Sequence, residues 1–369
     1  MSNVLDYINW RGDLSLKESR FNEVDNLILA RFSYFPFDNI IKKDEVVPIS
    51  ELSERFEKKY NKKTTILWPD DVNLFPLMGK SIRFGKMFAT QYSNIFDKEK
   101  EEQFAAITVI LPGDLMYVSF RGTDDTVIGW KEDFNLSFKS HTPSQISSKN
   151  YLEKIAKRYP EKRIIVGGHS KGGNLAIYSA AFVSDEVKRR IIKVYNNDGP
   201  GFCEDIIDSA EYQSVLKLVH SYIPQSSVIG RLMNHEEKYS VVESTQKGIM
   251  QHDLYSWQVQ GPKFILSNSL TNKSDFIDRT ITGWVTSIEP ERREQFINTI
   301  YEILCTADGD TIKGIKKNWQ SNYKTMLKSY KNLDKESKKM INEVLSSLLK
   351  NATTSALPKL DKLDKNSNK

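Results

Sequence analysis

Apolar residues in this chain follow two spacings, and the change between them divides it. From Asn22 to Phe32 they fall at Val24, Leu27, Ile28 and Phe32, which is one face of a helix. Leu52 to Tyr60 predicts a second, more charged helix. From Phe88 the pattern shifts to strands. Ala105 to Leu111 and Leu115 to Phe120 are short apolar runs joined by Pro112-Gly113-Asp114, a turn sequence, so they predict a hairpin. Beyond Phe120 the two spacings alternate. Helices are expected at Tyr151 to Arg158, Gly173 to Val183 and Glu204 to Leu216. Strands are expected at Arg163 to Val166, Ile191 to Tyr195 and Leu218 to Ile223, with a last strand at Tyr239 to Val242. Strands separated by helices of this length predict an α/β architecture, a mainly parallel central sheet flanked by helices on both faces.

The ends read differently. Residues 1–87 form a mixed segment expected to pack on a core of residues 88–290. From Glu291 to about residue 350 the spacing is helical again. Ile312, Ile315, Trp319, Tyr323, Leu327 and Tyr330 make one stripe; Met340, Ile341, Val344, Leu345, Leu348 and Leu349 make another. Lysines fill the remaining face. The favoured reading is an amphipathic helical extension packed on the core; the alternative is a basic helix lying on a membrane surface or partner. Residues 351–369 are polar and lysine-rich, and a disordered tail is expected there.

Composition narrows the function classes. The formal net charge is only +5, without zinc-finger spacing or a glycine-rich phosphate loop, so a nucleic-acid partner is not expected. Cys203 and Cys305 are the only cysteines, which excludes a disulfide framework and suggests a reducing compartment. The first residues lack the pattern of a secretory signal, and no apolar run reaches the ~18 residues of a membrane span. The expected location is cytoplasmic, with peripheral membrane contact left open.

The chemistry concentrates at Gly167-Gly168-His169-Ser170-Lys171-Gly172-Gly173. A β-branched run precedes this stretch and a helix rich in small residues follows it. Gly-x-Ser-x-Gly between strand and helix is the setting of a nucleophile elbow, with Ser170 as nucleophile and Gly168 and Gly172 admitting the tight turn. The plainer alternative is a glycine-rich turn with an incidental serine. A serine needs a base, and the chain has five histidines. His169 lies inside the elbow and reads as structural. His141 comes too early, His220 lies in a strand and His235 in a charged loop. His252 follows the last strand in a loop able to reach back over the sheet, and is the expected base. Asp198, at the end of the strand after the elbow, is the expected acid. It completes the order serine, acid, histidine, although an aspartate before Gly199-Pro200 also suits a plain turn. Asp253 and Glu243 are weaker candidates. For the oxyanion, the N–H of Lys171 and the N–H and hydroxyl of Thr123 are the expected donors. Arg121 and Asp133 are expected to brace this corner as an ion pair. The apolar stretch from Gln225 to Tyr239 is a candidate lid or acyl-pocket wall, or equally a plain insertion.

Arg121-Gly122-Thr123, Trp130 with Asp133, and Gly168-His169-Ser170-Lys171-Gly172-Gly173 together resemble the signature of class 3 (fungal-type) lipases. The resemblance covers about Phe88 to Val259. Tyr7 to Asp13, Asn22 to Leu27 and Gln251-His252-Asp253 also resemble bacterial lipase-like proteins of unassigned function. The resemblance implies an α/β-hydrolase fold and a serine esterase or lipase acting on small-molecule or lipid acyl esters without metal or cofactor. It implies Ser170 as nucleophile, Thr123 and Lys171 as oxyanion donors and His252 as base. Class 3 lipases carry their acid after the following strand. Here that position falls in Ile223 to Val228, which has no carboxylate, so either Asp198 serves from one strand earlier or the triad is incomplete. Acyl transfer at the same site, or a non-catalytic interaction module, are the alternative functions.

Overall fold

Strand β4 (Leu115–Phe120) is where the sheet changes character. Before it, β1 (Val46–Pro48), β2 (Phe88–Asp97) and β3 (Glu102–Ile110) pair antiparallel, and β3 pairs with β4 antiparallel across the predicted Pro112–Asp114 turn. After it, β5 (Arg163–His169), β6 (Ile191–Asn197), β7 (Val219–Pro224) and β8 (Tyr239–Val242) run parallel. The eight strands lie side by side in chain order. This is a computed structural model, and it describes residues 2–60, 68–124, 126–271, 280, 283, 287–307 and 319–356. A short antiparallel pair, β9 (Val259–Gln260) and β10 (Lys263–Phe264), follows β8, so β8 closes the main sheet but is not the last strand.

Chain order has a consequence for layering. Right-handed crossovers between successive parallel strands place their helices on one face. That face carries α7 (Pro143–Arg158), α8 (Lys171–Phe182) and the short helices α9 (Asp185–Lys188), α10 (Glu204–Ile207) and α11 (Ala210–Val215). The other face is covered by the N-terminal segment: α1 (Val4–Arg11), α2 (Glu23–Phe32), α3 (Ile49–Lys59), α4 (Asp71–Lys80) and α5 (Ile82–Gly85). The strands alternate accordingly. Tyr117 and Ile165 point into the N-terminal layer, while Met116, Val118, Ile164 and Val166 point toward α7 and α8. Two ion pairs tie the N-terminal layer internally, Arg31 with Asp71 and Arg83 with Asp25, all four side chains almost fully buried.

Helix boundaries follow local capping. Helix α7 begins eight residues before the expected start because the Gln145 side chain accepts the Thr142 N–H at 2.9 Å and Pro143 suits the first turn. The expected helix from Glu204 to Leu216 breaks into α10 and α11, where the Ser209 side chain accepts from the Tyr212 N–H and starts a new turn. Helix α6 (Val127–Asn135) follows β4 and packs on β3.

The C-terminal extension contains α12 (Pro290–Cys305), α13 (Trp319–Asn332) and α14 (Lys335–Ala356). Phe296 and Ile297 of α12 pack with Met340, Ile341 and Val344 of α14 in one apolar cluster, while Leu345 of the same stripe is exposed. Helix α12 also rests on α6. Lys131 Nζ lies 4.3 Å from the Tyr301 ring centre, and Arg293 Nη1 donates to the Ser137 carbonyl at 2.6 Å. Ile312 and Ile315 lie outside the described residues. The tail expected from residue 351 is still helical to Ala356, and residues 357–369 lie outside the described set. Among the described residues no helix is long and apolar enough to cross a membrane.

Candidate active site

The parallel register brings the ends of β4, β5 and β6 level. Phe120 pairs with Gly168, and Gly168 with Asn196. The residue after each strand therefore emerges at one edge: Arg121 after β4, Ser170 after β5, Asp198 after β6.

Ser170 sits between β5 and α8 with φ 58° and ψ −135°, a conformation that L-residues rarely adopt. The strain is held by the main chain. The Ser170 N–H donates to the Asn197 carbonyl at 3.0 Å, and its own carbonyl accepts from the Gly173 N–H at 2.8 Å. The turn leaves no room for side chains beside it. A Cβ at Gly168 would lie 2.2 Å from the Gly172 carbonyl oxygen, and one at Gly172 would lie 2.2 Å from the Phe120 carbonyl oxygen. Lys171 opens α8, so its N–H has no partner within the helix. Its side chain turns inward: Nζ donates to the Gln103 carbonyl at 2.8 Å and to Glu132 at 2.8 Å, both buried. Glu132, which the sequence did not single out, also accepts from the backbone N–H groups of Gln103 and Ser144 and so ties α6 to β3 and α7.

The corner after β4 approaches the elbow closely. A Cβ at Gly122 would lie 3.0 Å from Ser170 Cβ. The expected Arg121–Asp133 pair does not form. Arg121 Nη2 donates to Asn94 at 3.1 Å and pairs with Asp124 at 3.4 Å. Asp133 instead accepts the Thr123 hydroxyl, at 2.6 and 2.7 Å to its two oxygens. That corrects the picture of Thr123 as a double donor, because its hydroxyl hydrogen is committed while Asp133 is ionised. Burial pushes the Asp133 carboxyl up to about 6, partly offset by the Lys171 charge.

Asp198 and His252 meet. His252 Nδ1 donates to Asp198 Oδ2 at 2.6 Å, with Asp198 buried and the imidazole one-fifth exposed. Asp198 has φ 54° and its N–H donates to the Tyr222 carbonyl at 2.8 Å, which turns its side chain across β7. Its other oxygen accepts the Ser227 hydroxyl and the Gly230 N–H, the latter at 3.2 Å. Ser227 lies in the Gln225–Tyr239 stretch, so this part of the candidate lid grips the carboxylate. Its apolar Val228 and Ile229 flank that contact. The missing carboxylate after β7 is thus replaced by a hydroxyl that holds Asp198, a role no local pattern in the sequence announces.

The other candidates are engaged elsewhere. Asp253 accepts from the Tyr255 N–H at 3.0 Å and caps the next turn. Glu243 takes part in backbone pairing with Ile265 and Gln258. His141 Nδ1 meets the Tyr178 hydroxyl at 2.8 Å, His235 pairs with Glu237 at 3.0 Å, and His220 packs on the Tyr195 ring. His169 is buried behind the elbow, with Nε2 2.9 Å from the His252 carbonyl oxygen. Among the described residues no cluster of side chains has the make-up of a metal site.

A mostly parallel sheet with helices on both faces and a strained serine elbow at its carboxyl edge is a lipase-like α/β-hydrolase fold. The chain belongs to the Mbeg1-like family, which it matches over residues 78–302. No curated protein matched it. Among solved structures it is similar to the native Rhizomucor miehei lipase propeptide complex, at 14% identity and TM-score 0.33, over 43% of this chain and 57% of that one. It is also similar to the lipase from Rhizopus microsporus var. chinensis, at 14% identity and TM-score 0.35, over 64% and 87% of the two chains. Lip2 lipase from Yarrowia lipolytica gives 14% identity and TM-score 0.33, over 60% and 89%. The chain thus spans little more than half of the Rhizomucor structure. These likenesses are distant.

Proposed function

We propose that this protein is a serine hydrolase of carboxylic esters, with Ser170, His252 and Asp198 as its triad. The observation that carries the reading is the 2.6 Å bond from His252 Nδ1 to Asp198, at the same sheet edge as the strained Ser170 turn. A carboxylate only accepts, so Nδ1 carries the hydrogen and Nε2 keeps its lone pair for the serine proton. Ser170 Oγ attacks the ester carbonyl carbon while His252 Nε2 takes its proton. The N–H groups of Thr123 and Lys171 receive the oxyanion. The intermediate collapses, the alcohol leaves with the proton from His252, and an acyl-enzyme remains on Ser170. Water, giving a proton to His252, then attacks the acyl carbon; the acid departs and Ser170 recovers its proton. Asp198 stays ionised throughout and stabilises the imidazolium. No metal or organic cofactor enters the scheme.

The main support for a non-catalytic module is the missing acid after β7, and the Asp198–His252 contact favours the hydrolase reading over it. A cytoplasmic location, with free Cys203 and Cys305, belongs to the same proposal. The test is a p-nitrophenyl ester series of increasing acyl length, read for hydrolysis by the wild type and by Ser170→Ala. Turnover that requires Ser170 supports the reading, and the chain-length optimum reports the acyl pocket. Equal rates in both proteins would sink it.

A further inference from the structure

His252 ends a short 3-10 turn, Gly248–His252, whose Ile249 and Met250 are 62% and 54% exposed. A single turn of this kind has poor hydrogen-bond geometry. It is anchored from one side at buried Gln251, whose side chain accepts the Ser226 N–H and donates to the Gln246 carbonyl, and whose carbonyl accepts the Trp257 Nε1–H. The Asp198 bond fixes the direction of the imidazole but not the position of the main chain that carries it. At residue 252 itself the main chain is held by His169, whose Nε2 lies 2.9 Å from the His252 carbonyl oxygen. A carbonyl only accepts, so Nε2 of His169 carries the hydrogen, and in the neutral ring Nδ1 is then an acceptor. The Tyr34 hydroxyl faces it, 3.2 Å from Nδ1 and 3.1 Å from the His169 carbonyl oxygen.

Tyr34 in turn belongs to the N-terminal layer. The Arg31 guanidinium lies 4.4 Å over its ring and is locked onto Asp71. Asp71 also accepts the Tyr255 hydroxyl at 2.7 Å, three residues beyond His252. Asn3 holds the Tyr255 carbonyl at 3.0 Å. The loop bearing His252 is therefore gripped at residue 251 by Ser226 and Trp257, at residue 252 through His169 and at residue 255 through the N-terminal layer. The two imidazole rings stand 4.5 Å apart. Burial, with the nearby His252 and Arg31 charges, holds His169 well below the ordinary histidine range. It stays neutral and does not oppose the charge that His252 gains when it accepts a proton.

We propose that His169 and Tyr34 are positioning residues, a brace between the N-terminal layer and the His252 main chain that sets where the base stands relative to Ser170. This rests on His252 being the base. It extends the role of the N-terminal segment from covering the sheet to aligning the site. The structure gives the brace a specific requirement, an N–H donor at the position of His169 Nε2.

Two amides separate that requirement from bulk. Glutamine at 169 can present an N–H where Nε2–H stood; asparagine reaches only the Nδ1 position. Wild type, His169→Gln, His169→Asn and Tyr34→Phe are compared by ester hydrolysis, by melting temperature and by the downfield proton resonance of His252 Nδ1–H. His169→Asn is expected to lose about 100-fold in kcat, as a displaced catalytic group does, with KM changed less than about threefold. His169→Gln should recover most of that loss, and Tyr34→Phe should lose about fivefold. The downfield resonance should broaden in His169→Asn and persist in His169→Gln. Equal kcat and equal resonances in the two amide variants would overturn the proposal. So would losses that follow melting temperature alone. A wild type without esterase activity would instead defeat the hydrolase reading, and the resonance comparison would still decide the brace.

Discussion

The two halves of the site are held in place by different parts of the protein. Ser170 is fixed by main chain: a positive φ, strand pairing on both sides of β5, and glycines pressed against carbonyl oxygens. Asp198 shares the positive φ and a main-chain bond to Tyr222, but its carboxylate and His252 are held in addition by groups from other segments. Ser227 and Gly230 hold the carboxylate, and His169, backed by Tyr34, holds the histidine loop. A main-chain device must be encoded within a few residues, because each glycine answers a local steric demand. A side-chain device can draw its parts from anywhere that the fold brings near. The elbow should therefore resist substitution as folding damage, while the acid–base half should respond as lost catalysis in a stable protein.

Removing the nucleophile gives the largest effect. Ser170→Ala should reduce ester hydrolysis by about 10⁴-fold or more with little change in melting temperature. Asp198→Asn should come close to that, about 10⁴-fold in kcat, because the amide favours the wrong imidazole tautomer. Full activity in Asp198→Asn would break the comparison, leaving Asp198 as a turn residue. Ser227→Ala should cost about 10- to 50-fold in kcat, the loss of one hydrogen bond to a charged group, again without unfolding. Gly172→Ala should behave in the opposite way. Its new Cβ would sit 2.2 Å from the Phe120 carbonyl oxygen, and chemical denaturation should show a loss of about 3 kcal/mol.

The smallest effect concerns the corner at Thr123. Burial raises the Asp133 carboxyl to about 6, above its unfolded value of 3.8. A raised acid favours the protonated form in the folded state, so its contribution to stability is full below pH 3.8 and is lost as pH rises through about 6. Melting temperature measured from pH 7 down to pH 5 should rise more in the wild type than in Asp133→Asn. Parallel curves would show that Asp133 titrates normally.

Much of the fold was legible because it depends on local pattern. Tyr239 to Val242 forms a strand with the bounds expected from the sequence, and Asn22 caps the helix whose apolar face was read from Val24 to Phe32. Helix starts were less legible, since α7 owes its early start to Pro143 and to Gln145 accepting the Thr142 N–H rather than to apolar spacing. Strand β1 was missed because three residues ending in a proline carry no period. In the site, chain order put Asp198 and His252 at the same end of the sheet, where the structure has them in contact. The partner of Asp133 was misread because Arg121 reaches Asn94 of β2 instead, a neighbour supplied by strand pairing and not by spacing. Tyr34 was invisible for the same reason, lying 135 residues from the histidine it touches.

The most direct test of the central claim is covalent labelling. Folded wild-type protein is treated with a fluorophosphonate at neutral pH, the modified peptide is located by mass spectrometry, and the labelling rate is compared with that of Asp198→Asn. The account predicts one adduct, on Ser170, formed rapidly in the wild type and at least about 100-fold more slowly in Asp198→Asn. An unlabelled Ser170 in folded wild type, or equal rates in the two proteins, would contradict it.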